Sequence, residues 1–193
     1  MEGNNLIELI KNIRSLSKSW GLLDKGDLGK QSLKIREEVG EFCRAYLRVD
    51  REGMKDAIGD IGIAVINYRL ITGLTPTGII QSIGENYEPT PVEINDILMN
   101  RICTRLRVND VMILACSCDL SFLDCLEHSY NTIKSRTGRM VDGCFVKDEE
   151  PEKSGADNEL LQECLLQLEY LSEKFGETGT GNNLITRLKS HLI

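Results

Sequence analysis

Aromatic residues, basic charge and long apolar runs are all scarce in this chain. Aromatics make up 5% of its 193 residues, with one tryptophan, Trp20. That is too few for a platform stacking successive bases of a single strand. Lysine and arginine together number 23 against 30 acids, a formal charge of −7. Such a balance argues against a nucleic-acid partner, which demands a basic surface. It leaves room for a nucleotide, because metal ions bridge carboxylates to phosphates. The most apolar stretch, AIGDIGIAVINY (57–68), is interrupted by Asp60 and Asn67, so no membrane span or membrane partner is expected. MEGNNLIELIKNIRSL at the start is amphipathic rather than basic and then apolar, so no signal peptide is expected.

Seven cysteines are present (43, 103, 116, 118, 125, 144 and 164), an odd number without framework spacing. Reduced thiols and a cytoplasmic setting, in a bacterium or phage-infected host, are the expectation. Cys116, Cys118, Cys125 and His128 lack the C-x2-C knuckle of a zinc site, so free thiols are the preferred reading.

Helical periodicity runs nearly throughout, which predicts an all-α fold. Leu6, Ile10, Ile13, Leu16 and Trp20 mark a first helix, with Asn4 or Asn5 as its cap, and GLLDKGDLG reads as a loop. Further helices are predicted over about 30–48 and 53–71, and from Thr75-Pro76. Pro89 and Pro91 break the chain before helices near 92–106 and 110–116. Asp119 or Ser121 caps a helix running to Arg136, which Gly138 ends. Residues 149–158 are charged and contain Pro and Gly, as a surface linker does. A leucine-spaced helical tail is predicted over 159–193, leaving 1–148 as the main domain.

Two carboxylate clusters carry most of the chemical information: Glu37-Glu38-Val39-Gly40-Glu41 and Asp56-Ala57-Ile58-Gly59-Asp60. At helical pitch Glu38 and Glu41 share a face, as do Asp56 and Asp60. Ile35, Val39, Phe42 and Tyr46 form the core stripe of the first helix. Asp56, Asp60, Ile63 and Asn67 fall on one stripe of the second, which is apolar nearly all round. An acidic face with Arg36 and Arg44 nearby is the bland reading of the first cluster alone. A second acidic pair on an apolar helix reverses that preference, because buried like charges need a cation between them. Oxygen ligands select Mg²⁺, with Mn²⁺ as substitute. A third cluster, Asn131, Lys134, Arg136 and Arg139, closes the region. Its residues either suit the helix dipole at a C-terminus or contact phosphates or a base.

The ordered trio KQSLKIREEVGEF, KDAIGDIGIAVIN and YNTIKSRTGRMVDGCFVK resembles the MazG-like branch of the all-α nucleoside triphosphate pyrophosphohydrolases, most of all its small bacteriophage forms. The resemblance covers roughly residues 17–148. It implies a four-helix core, Mg²⁺ held by an E-x-x-E and an E-x-x-D pair, and cleavage of nucleoside triphosphates to monophosphate and pyrophosphate. A homodimer or homotetramer is implied as well. Glu38 and Glu41 match the first pair, Asp60 ends the second, and Glu37 matches an extra acid before the first. Asn131, Lys134 and Arg136 match substrate-binding positions, while Gln31 and Lys34 lie where polar contacts occur. One departure stands: Ala57 occupies the place of a glutamate, and the acid sits one residue earlier as Asp56.

The metal ligands expected are therefore Glu38, Glu41, Asp56 and Asp60, with Glu37 or Glu38 acting on the attacking water. Lys134, Arg136 and Arg139 offset phosphate charge, Lys34 is a further substrate contact, and Trp20 stacks on a base or else serves the core or an interface. Residues 89–116 have no counterpart in the family's minimal forms and are expected over the site or at an interface. A helical binding protein that keeps the fold without turnover is the rival reading, favoured by Ala57. An assembly protein pairing through its leucine-rich tail is a third.

Overall fold

The run from Arg51 to Ile71 decides the architecture, because a helix apolar on all sides must be covered on all sides. In the computed structural model, which describes residues 2–84 and 87–148, this run is helix α4 (Arg51–Ile71), buried along most of its length from Met54 to Leu70. Before it come α1 (Glu2–Ser19), the short turn α2 (Leu22–Lys25) and α3 (Leu28–Leu47). After it come α5 (Pro76–Ile83), α6 (Ile94–Asp96), a π-helical segment (Ile97–Ile102), α7 (Cys103–Arg105), α8 (Val108–Ser117) and α9 (Phe122–Ile133). A two-stranded antiparallel hairpin, β1 (Gly138–Val141) and β2 (Cys144–Lys147), ends the described chain. The protein is all-α, with α4 at the centre and α1, α3, α8 and α9 packed on it. These residues lie within one compact unit, Met1–Asp148. The proposed linker (149–158) and tail (159–193) lie outside the described residues.

Side-chain caps punctuate the helices. Asp27 accepts from Lys30 N at 2.8 Å, Asp50 from Gly53 N at 3.0 Å and Thr75 from Gly78 N at 3.0 Å. Ser121 caps α9 by accepting from Asp124 N at 3.3 Å. Each such cap contributes about 1 kcal/mol.

Other expectations are corrected. Helix α1 already runs at Glu2, so Asn4 and Asn5 lie inside it rather than capping it. GLLDKGDLG contains a helical turn. Tyr46 is exposed, and Ala45 takes its place in the core stripe of α3, joined there by the carboxylate-bearing Glu38. Helix α9 stops at Ile133, three residues short of Arg136, because the chain must turn into the hairpin.

Two glycines set how closely α9 approaches α4. A Cβ on Gly59 would overlap the Ser129 hydroxyl and the Cys125 carbonyl, and one on Gly62 would meet Leu126 and Phe122 at 3.0 Å. The hairpin turns at Asp142-Gly143, with φ of 47° and 77°. Two positive values are the type I′ geometry that matches strand twist, and Asp-Gly is among its preferred sequences. This turn docks on the start of α3: Asp27 N donates to Gly143 O at 3.0 Å and Lys30 Nζ donates to Asp142 O. Gly143→Ala would place a Cβ 2.7 Å from Asp27 Cβ on left-handed backbone. We expect it to weaken the hairpin by about 1–2 kcal/mol. Hydrogen exchange would show faster amides over 138–147 and unchanged protection in α4.

Candidate active site

Helices α3 and α4 run antiparallel, since Gln31 on the first donates from Nε2 to Ala64 O on the second at 3.1 Å while Glu38 lies near Asp60. Their facing stripes, Gln31-Lys34-Glu38 and Asp60-Ile63-Ala64-Asn67, form the floor of a cavity of about 260 Å³. The end of α1 and the hairpin supply the other walls, through Trp20, Leu22, Cys144, Phe145 and Lys147. Arg136, just past α9, and Lys30 complete the polar lining.

One end of this cavity is acidic. Glu38 is 6% exposed, and burial, opposed by its partner Lys34, raises its pKa above the ordinary glutamate value. Lys34 Nζ sits 2.7 Å from Glu38 Oε1 and 3.0 Å from Glu37 Oε2. Burial would lower the Lys34 pKa, but hydrogen bonds to Glu38 and Glu37 outweigh that pull and leave it raised. Asp60 is pushed up to about 6, by burial first and then by the charges of Glu38 and Asp56. Ser129 and Arg136 act on it in the opposite direction. A carboxylate whose ionisation is opposed by burial and by neighbouring carboxylates marks a place where a cation would be stabilised.

The opposite end is aromatic and amide-lined. Trp20 stacks on Phe145 with ring centroids 4.2 Å apart and planes 18° apart. Ser17, one turn before Trp20, donates to Asn67 Oδ1 at 2.6 Å and ties α1 to α4 there. Seven residues of helix separate Gln31 from Glu38, and seven separate Asp60 from Asn67. At 1.5 Å per residue the acidic and aromatic ends are about 10 Å apart.

The expected site residues divide between this cavity and its surroundings. Lys34, Glu38, Asp60, Arg136, Gln31 and Trp20 line it together. Glu37 is exposed and bound to Lys34 at the rim. Glu41 and Asp56 face a second cleft, of about 180 Å³, with Arg44, Arg48 and Asp50. Asp56 Oδ1 also lies 3.5 Å from His128 Nε2. Among the described residues, no three acidic, histidine or cysteine side chains gather into a closed metal cluster. The carboxylates still sense one another in a chain, Glu41 acting on Glu38 and Asp56 on Asp60. Ala57 is buried in the core, 4% exposed.

Asn131, Lys134 and Arg139 are exposed outside the cavity lining, and Lys134 Nζ donates to Asn131 Oδ1 at 2.8 Å. Of the two places expected for the segment 89–116, over the site or at an interface, the first is not met, since none of its residues lines the cavity. The segment packs on α4 and α5 through α8, and Arg36 donates to Cys103 O at 3.2 Å. Six cysteines in the described residues are free thiols. No single helix there is long and apolar enough to cross a membrane.

Sequence reasoning missed the hairpin and with it Cys144, Phe145 and Lys147. The signal was present as Asp142-Gly143 between short runs of strand-forming residues. Asn67 was placed on the correct stripe without a role in the site, and Lys30 was not singled out.

No family model matches the chain, and no solved structure matches it. An uncharacterized 18.2 kDa protein in the rep-hol intergenic region of Haemophilus phage HP1 is 32% identical over 62 residues. Those residues are 32% of this chain and 38% of the phage protein, so the similarity spans well under half of either.

Proposed function

We propose that this cavity binds a nucleoside triphosphate, and that the chain hydrolyses it to the monophosphate and pyrophosphate with the help of a divalent metal ion. The observation that supports the reading best is the layout of one cavity: buried Glu38 and half-buried Asp60 at one end, Trp20 and Phe145 at the other, and lysines and an arginine between and around them. Four cations, Lys30, Lys34, Arg136 and Lys147, line it against two carboxylates, in a chain whose net charge is −7. That local excess of positive charge suits a polyanion. The resemblance to the MazG-like pyrophosphohydrolases points the same way, and the similar phage protein agrees with a bacteriophage setting.

Glu38 and Asp60 fit a hard cation, because both are oxygen donors and the charge of Glu38 raises the cost of ionising Asp60. These two would hold it; Glu41 and Asp56, which face the second cleft, would act on it through their charge on Glu38 and Asp60. Mg²⁺ or Mn²⁺ bound there supplies charge neutralisation for the phosphates and a more acidic water. Glu37, exposed at the rim beside Glu38, would take the proton of the attacking water, with Glu38 acting on that water alongside it. Lys34, now bound to both glutamates, is close enough to move to a phosphate oxygen, while Arg136 offsets charge built up on leaving pyrophosphate. Asn131, Lys134 and Arg139 lie outside the lining and would meet only the outer phosphates. The setting is the cytoplasm of a bacterial or infected cell, and the assembly a homodimer or homotetramer.

A second reading rests on the Lys34–Glu38 ion pair and on Ala57. With an internal cation already on Glu38 and no glutamate at position 57, the chain would bind nucleotides without turning them over. Pyrophosphate release from ribo- and deoxynucleoside triphosphates, with Mg²⁺, with Mn²⁺ and with EDTA, separates the two. Metal-dependent release is expected, with Glu38→Gln lowering kcat by roughly 100-fold or more at unchanged helical circular dichroism. Release that survives EDTA, or a fully active Glu38→Gln, removes the metal-assisted mechanism. Nucleotide binding without release from any substrate selects the second reading.

A further inference from the structure

The Ser17–Asn67 hydrogen bond is hard to explain as packing alone. Both residues are buried, at 1% and 4% exposure, in an interface that is otherwise apolar. Two apolar residues would fill such space without the desolvation that a hydroxyl and an amide bring. The bond has a direction: Ser17 Oγ donates and Asn67 Oδ1 accepts, at 2.6 Å. A carboxamide held by its oxygen is left with its amide N–H groups to offer. Among the described residues no partner for that nitrogen is found, and it is not sealed from solvent. The opening onto which Asn67 faces is the cavity, at the end walled by stacked Trp20 and Phe145. Gln31 shows the opposite polarity there. Its Nε2 donates to Ala64 O at 3.1 Å, so its side-chain oxygen is the group left to accept.

We propose that Asn67 reads the base of the bound nucleotide as a hydrogen-bond donor, and that Ser17 is the positioning residue that keeps it one. This rests on the nucleotide reading above and adds to it a direction of discrimination. A base held against the Trp20–Phe145 wall must present an acceptor to Asn67, and Gln31 can accept from a neighbouring N–H. A carbonyl oxygen meets that demand, whereas an exocyclic amino group at the same point would face another donor. The chain therefore prefers keto bases over amino bases. Ser17 touches no substrate; without it the amide rotates freely, and the discrimination weakens while the chemistry at Glu38 and Asp60 continues.

Fluorescence of Trp20, the only tryptophan, reports binding directly. The probes are non-hydrolysable α,β-imido analogues of dUTP, dTTP, dGTP, dCTP and dATP, with kcat and KM measured in parallel on the natural triphosphates. In wild-type protein the keto analogues should bind about tenfold more tightly than their amino counterparts, the ratio set by one hydrogen bond. Ser17→Ala should compress that ratio at unchanged kcat. Asn67→Asp, which presents an acceptor of the same shape, should reverse it. An unchanged ranking in both variants, or a wild-type preference for amino bases, overturns the assignment and leaves the pyrophosphohydrolase reading intact. Base-dependent binding without pyrophosphate release does the reverse, upholding Asn67 as the reader while removing the enzymatic reading. If no analogue binds and no natural triphosphate is hydrolysed, both fall.

Discussion

Asp60→Asn is expected to abolish turnover and, at the same time, to make the protein more stable at pH 8. The native pKa of Asp60 stands near 6, against about 3.9 for an aspartate in an unfolded chain. Below pH 4 the group is protonated in both states and adds nothing to the pH dependence. Between roughly pH 4 and 6 the folded state keeps a proton that the unfolded state has released, so rising pH costs stability through that window. Above it the full penalty is present, on the order of 2–3 kcal/mol before water penetration reduces it. Asparagine carries no such penalty. In thermal melts without divalent ions, the variant should melt about 5 °C above wild type at pH 8 and level with it at pH 4. Mg²⁺ should raise the melting temperature of wild type but not of the variant. A variant less stable than wild type at pH 8 would mean that Asp60 is held by favourable contacts rather than against its own charge.

Gly59→Ala should be the most damaging glycine-to-alanine change among the described residues. The new Cβ would overlap the Ser129 hydroxyl and the Cys125 carbonyl and lie 2.9 Å from the Cys125 carbonyl carbon. Backbone atoms cannot rotate aside, so α9 must move off α4. Overpacking of a core usually costs 1–3 kcal/mol, and a backbone obstacle places this case at roughly 3 kcal/mol or more. The melting temperature should fall by about 10 °C. Activity should fall with it even in the folded fraction. Ser129, which donates to Asp56 O at 3.2 Å, and Arg136, which follows α9 and lines the cavity, are both placed by that contact. Gly40→Ala is the control, since its Cβ would meet nothing within 4 Å. If Gly59→Ala behaved like Gly40→Ala, the close approach of the two helices would be excluded.

Much of this was legible from residue order because the determinants are local. A helix reads from its 3.6-residue period, and Asp27, Asp50, Thr75 and Ser121 announce helix starts by chemistry acting within three residues. The acids of α3 and α4 were visible because carboxylates at helical spacing on apolar segments break the expected pattern. Glu38 and Asp60 line one cavity, and the charge of the first acts on the second. The hairpin escaped because two four-residue strands leave only a faint alternation, and the cationic run before it was read as the end of a helix.

Residue order by itself determined the all-α class, the central place of α4 and the presence of acids within its apolar surroundings, since each follows from periodicity along one segment. Only the tertiary structure decided which acids share a cavity. Glu38 and Glu41 are three residues apart, yet a turn of 100° per residue aims them into different clefts once α3 is pressed on α4. It also brought Ser17 to Asn67 and Trp20 to Phe145, across 50 and 125 residues of chain. No pattern within a helix specifies such pairs, because they depend on how whole elements pack against one another.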